Sequence, residues 1–249
     1  MDFTILFIAL GALVAGFSQG LSGFGFGLIA MSFWAWVINP QLAATLSVIG
    51  GLTGQIVAAF TVRRGFNLRI LTPFILGGLC GIPIGVYLLP YLDIYKFKTI
   101  LGTFLVICCP LMLFADRLPK IQNVPRLADA LAAMGGGIMG GFGGFTGTFP
   151  ALWCTLRGFD RDTQRAILQN FNFAMLVVIV ISYIAKGIIV WDMASYFLIV
   201  SPIVLITSYF GTRFYLGISH KRFRQVILSL LTFSGISMLV TSVPQLLGN

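Results

Sequence analysis

Ser18, Gln19 and Ser22 stand beside the run Gly23-Phe24-Gly25, and Thr146 and Thr148 stand beside Gly141, Gly143 and Gly144 about half a chain later. Hydroxyls, amides and closely spaced glycines suit the chemistry of holding an anion. A helix that starts among them offers unpaired N–H groups and the positive end of its dipole, and glycine lets a ligand come close to that backbone. Phe24, Phe26, Phe142 and Phe145 are available to wall such a pocket. The competing role for the same glycines is close helix packing, the usual use of small residues in membranes.

Both clusters, SQGLSGFGFG (18–27) and MGGFGGFTGTFP (139–150), interrupt apolar surroundings. With 58% hydrophobic residues, 9% charged residues and a mean hydropathy of +0.98, the chain has a surface that water would not tolerate. Its solvent is lipid. At roughly 20 residues per span there is room for about eight to ten segments and none for an added soluble domain. Free backbone groups at that depth survive only where protein buries them or a polar cavity receives them, so paired breaks in corresponding halves point to a transport site. The N-terminus carries Asp2 and lacks a basic n-region, and is read as mature sequence.

Apolar runs divide each half into five segments: 3–19, 24–38, 41–62, 67–90 and 96–115, then 127–141, 145–157, 162–185, 193–216 and 222–242. Gly23-Phe24-Gly25 matches Gly141-Phe142-Gly143, Gly65 matches Gly187, Gly85 matches Gly211, and Lys96-Phe97-Lys98 matches Arg222-Phe223-Arg224. The expected organisation is one transmembrane domain over 1–249, with repeat one at 1–115, a connector at 116–126 and repeat two at 127–249. The first two segments of each half are short, and form either one broken span or a hairpin. Broken spans divide the sixteen basic residues seven against nine, which gives no orientation, whereas hairpins divide them thirteen against three. The second split is a strong positive-inside signal. It puts both termini outside the cytoplasm and relates the halves by inversion in the membrane plane. The expected fold is therefore all-α and polytopic, with two inverted-topology repeats, each opening on a Gly-broken or re-entrant hairpin. The +9 net charge belongs to cytoplasmic loops beside anionic lipid and is no sign of nucleic acid.

The Gly-rich element opening each half (Gly16 to Gly27, and Gly135 to Pro150), the basic segment Arg157 to Arg165 and the two-half plan together resemble the TauE/SafE sulfite exporter family of bacterial membrane permeases. The first element departs from the usual pattern in having Leu28 to Phe33 where a proline often follows, whereas the second keeps Pro150. The resemblance implies a multi-pass protein of the bacterial inner membrane that exports sulfite, organosulfonates or related organic anions. A channel, or an uptake permease for another small carboxylate or oxyanion, is the alternative.

Two further groups bear on the site. Gln169, Asn170 and Asn172 interrupt the eighth segment, and Thr45, Ser47, Thr53 and Gln55 the third, for substrate contact or for interhelical hydrogen bonds. Asn170 and Asn172 point about 200° apart, so at most one of them is expected to face a substrate. Arg161 and Arg165, one turn apart, either supply counter-charge at a cytoplasmic mouth or set topology. There is no glutamate, all seven aspartates lie at segment ends or in loops, and the lone histidine is His220. Membrane proton carriers usually need an intramembrane carboxylate or histidine, so any coupled proton would travel on a weak-acid substrate. With no HExxH, Ser/His/Asp set or paired acids the chain is not expected to be an enzyme. Cys80, Cys108, Cys109 and Cys154 read as small buried hydrophobes, with no metal and no cofactor expected. The expected partners are a small anion and the bilayer, with a homodimer left open.

Overall fold

Among the described residues, apolar runs punctuated by glycine fold into ten α-helices. The computed structural model describes residues 2–61, 65, 67–115, 119–121, 124–214 and 220–247. In chain order the helices are α1 (Asp2–Ser22), α2 (Phe26–Trp34), α3 (Pro40–Thr61), α4 (Leu68–Leu88), α5 (Ile94–Phe114), α6 (Arg126–Gly143), α7 (Thr148–Leu156), α8 (Arg161–Ala185), α9 (Ala194–Phe214) and α10 (His220–Leu247). The starts follow capping chemistry: Asn39 Oδ1 accepts the Leu42 N–H at 2.8 Å, Asp93 Oδ1 that of Lys96 at 2.8 Å, and Asp160 Oδ1 that of Thr163 at 3.0 Å.

Seven of the helices, α1, α3, α4, α5, α8, α9 and α10, are long and apolar enough to cross a membrane. The chain is a multi-pass membrane protein, and large apolar side chains such as Leu198, Phe233 and Val240 stand exposed on its outside. Three of the four cysteines are buried as expected; Cys80 instead lies exposed on α4, because the neighbouring glycines take the face of that helix packed inside.

Each Gly-rich element folds back on itself. Trp34 at the end of α2 donates its indole N–H to the Ile8 carbonyl at 3.1 Å, and Trp153 in α7 donates to Asp129 Oδ1 at 2.7 Å. A single broken span would carry these partners apart, so the pairs α1–α2 and α6–α7 are hairpins. Two expectations need correction. The first segment is not short, since α1 runs 21 residues, through Gly20 to Ser22. The match between the halves also slips, from Gly141 to Gly144. Gly23 (φ 80°) ends α1 and Gly144 (φ 81°) ends α6, both left-handed, while Gly25 and Gly147 begin α2 and α7. Helix α6 continues past Gly141 because it is still packed against α4 there.

Close glycine contacts bind the halves together. On α4, a Cβ at Gly77, Gly81 or Gly85 would overlap the α6 carbonyls of Ala130, Met134 and Ile138. A Cβ at Gly16 or Gly20 of α1 would overlap Thr207 or the Ser208 carbonyl of α9, where Ser208 Oγ donates to the Gly16 carbonyl at 3.0 Å. Small residues at four-residue spacing let the helix backbones touch in this way. The first helix of each half thus packs on the fourth helix of the other, α5 packs on α10, and α3 meets α8.

Candidate functional site

The two breaks meet. A Cβ on Gly27 would lie 2.7 Å from the Gly144 carbonyl oxygen and 2.9 Å from Ser47 Oγ, so only hydrogen fits between the elements. Beside this contact is an inner cavity enclosing about 10 Å³, lined by Gln19, Gly25 and Gln55 from one half and by Thr146, Thr148 and Asn172 from the other. That is room for about one water molecule. The first bond of α2 runs from the Ile29 N–H to the Gly25 carbonyl at 3.3 Å. Phe26, Gly27 and Leu28 also line the cavity, and their N–H groups have no acceptor within their helix. Helix α7 begins at Thr148, which also lines the cavity; its N–H donates to the Phe145 carbonyl at 3.4 Å, and Pro150 in the first turn contributes no N–H.

Amides fix the two breaks. Gln19 Nε2 donates to the Gly51 carbonyl and Gln55 Nε2 to the Gly23 carbonyl, each at 2.9 Å. Across the cavity Thr146 Oγ1 donates to Asn172 Oδ1 at 2.8 Å. Gln19 Oε1, Ser18 Oγ and Ser47 Oγ are buried without a hydrogen-bond partner among the described residues. At Gly25, with φ at 90°, an added Cβ would meet nothing within 4 Å. Glycine here satisfies the left-handed backbone and leaves space unfilled.

The residues expected at the site thus separate into groups. Gln19, Gly25, Gly144, Thr146, Thr148 and Asn172 line the inner cavity, with Gly23 at its edge through the Gln55 bond. Ser18 is buried but does not line it. Ser22 caps the end of α1, its one hydroxyl proton lying between the Phe24 and Ser18 carbonyls, 2.6 and 2.8 Å from its oxygen. Gly141 and Gly143 are packing positions: a Cβ would come within 2.8 Å of the Val86 backbone at the first and 2.7 Å of the Phe145 ring at the second. Asn170 and Arg165 line a separate outer cavity beside the starts of α4 and α8. Asn172 and Asn170 line different cavities. The side chain of Arg161 lies outside the described residues.

For Gln55, Gln169 and Ser47 the sequence left substrate contact and interhelical bonding open. Each is a polar residue in an apolar helix, which was the available signal, but only the packing of α3 and α8 brings them to the breaks. Arg157, itself partly buried, is taken up elsewhere: its Nε lies 3.3 Å from Oδ1 of the buried Asp129, which also accepts the Trp153 indole N–H. Asp160 caps α8, and bonds from the Thr163 hydroxyl and N–H and the Asp162 N–H hold its carboxyl below the usual range. Among the described residues no three His, Cys, Asp or Glu side chains gather as a metal site.

The start of α2, beside Thr146, Thr148 and the amides of Gln19, Gln55 and Asn172 and with no acidic side chain among the described lining residues, is suited to an anion. Comparison with known proteins bears on the same point. No curated protein and no solved structure matches the chain. The model of one family, the sulfite exporter TauE/SafE, matches residues 8–238. With nearly its whole length matched, the chain belongs to the TauE/SafE sulfite exporter family.

Proposed function

We propose that this protein exports a small sulfur-containing oxyanion, sulfite or an organosulfonate, across the bacterial inner membrane by alternating access, binding it where the two breaks meet. The observation that carries this reading is the first turn of α2, whose residues Phe26, Gly27 and Leu28 line the inner cavity together with Thr148 of α7 and have no intrahelical acceptor for their N–H groups. Backbone donors and helix dipoles favour negative charge without requiring a buried cation. The family points to the same class of cargo. An inner cavity of about 10 Å³ is too small for such an anion, so the elements must separate to admit one. Separation toward each side in turn is what alternating access requires, and the repeated helix pairing supports two halves related by inversion.

Purified protein should bind sulfite, and proteoliposomes should show saturable flux of sulfite or 2-hydroxyethanesulfonate. Flux that never saturates would identify a channel. Saturable flux of small carboxylates in place of both sulfur anions would overturn the cargo.

A further inference from the structure

The outer cavity encloses about 320 Å³ and opens between the starts of α4 and α8. Asp162, Arg165 and Gln169 follow one another down the same face of α8. Asp162 is exposed, Arg165 half-buried, and Gln169 only 1% exposed. Gln169 Nε2 has no hydrogen-bond partner among the described residues. A buried donor in that condition is stabilised by any acceptor that reaches it. This amide also touches the first break, since a Cβ on Gly23 would lie 3.4 Å from Nε2. The Gly23 carbonyl in turn receives Gln55, which lines the inner cavity. Gln169 therefore stands between a roomy polar cavity and a closed one.

We propose that the outer cavity is a second anion subsite, where an oxyanion waits with its charge beside Arg165 and an oxygen on Gln169 Nε2 before passing Gly23 to the inner site. The assignment rests on the transport reading above. Asp162 at the rim opposes an arriving anion, so selectivity resides at the inner end of the cavity.

Asn67 lines the cavity, is exposed, and makes no capping bond at the start of α4, so Asn67→Cys in the full chain gives a thiol reporter there. Its labelling by an anionic sulfonatoethyl thiosulfonate is compared with that by a cationic trimethylammonioethyl one, with the parent chain giving the background. The anionic reagent should react faster, by roughly tenfold, as expected of a focused field. Arg165→Gln should erase the preference, Asp162→Asn should enlarge it, and 2-hydroxyethanesulfonate should protect the thiol. Protection should disappear in Gln169→Leu and in Gln169→Glu, two variants that fill the position with different chemistry. Equal rates for the two reagents, or protection unchanged in both Gln169 variants, would overturn the subsite. Labelling is read without flux. A chain that transports neither sulfur anion but keeps the labelling preference and protection overturns the transport reading and retains the subsite.

Discussion

Gly25 and Gly27, two positions apart, should respond to a side chain for opposite reasons. At Gly25 a Cβ meets nothing, but the backbone is left-handed at φ 90°; at Gly27 a Cβ lies 2.7 Å from the Gly144 carbonyl. Alanine at Gly25 carries a conformational cost of about 1–2 kcal/mol, whereas asparagine tolerates that conformation better. Gly25→Asn should therefore melt close to the parent in detergent yet lose saturable sulfite flux, because its amide occupies the open space. Gly27→Ala should lower the melting temperature by forcing the breaks apart. Asp160 offers a test in acid. Its carboxyl is held below the ordinary range, so its cap contributes fully above the unfolded pKa and is lost as pH falls through the lower folded value. Asp160→Asn, which still caps a helix, should flatten the acid limb of a pH–stability profile and leave flux intact. At this scale the sequence disclosed the types of residue and not their assignments. Ser22 and Thr146 look alike on the page, but one is consumed closing its own helix and the other reaches across to Asn172. Nothing local distinguishes Gly25, which faces space, from Gly141, which faces a neighbouring backbone.

Among the elements, the α6–α7 hairpin has a fastening that α1–α2 lacks. Asp129 joins Arg157 and Trp153 there, whereas the first hairpin relies on an indole bonded to a carbonyl. Asp129→Asn leaves the Arg157 charge poorly compensated in a buried setting and should cost on the order of 3 kcal/mol. Combining Asp129→Asn with Arg157→Met, which keeps an acceptor for the Trp153 indole, should recover most of that loss, and thermal unfolding of the two single variants and the double variant measures the coupling. Long apolar runs made the spans legible, and the split of basic residues favoured hairpins before any contact was known. The end of α6 was not legible, because Gly141 and Gly144 are equally good helix breakers and packing on α4 decides between them. The burial of Asp129 was also hidden. It stands in the first turn of α6, where an acid is commonly solvated, and only the return of α7 covers it.

For the whole molecule, reporter fusions should find both termini outside the cytoplasm, and a cytoplasmic terminus would remove the inversion. Coupling belongs to this scale too. The chain has no glutamate, and its one described buried aspartate is already paired, so flux of a strong-acid sulfonate should vary little with pH across the neutral range while sulfite flux should follow its own ionisation. Proteoliposomes loaded with either anion separate the cases. The exchange of partners between the halves also sets a clock on assembly. Gly16 of α1 meets Ser208 of α9, 192 residues further along the chain. At about 5–20 residues per second, the ribosome leaves α1 without that partner for roughly 10–40 s. Through that interval its glycine face is open to lipid or to whatever assists insertion. Neither half made alone can complete it, so fragments 1–118 and 119–249 should be degraded when expressed singly and should reassemble when translated together.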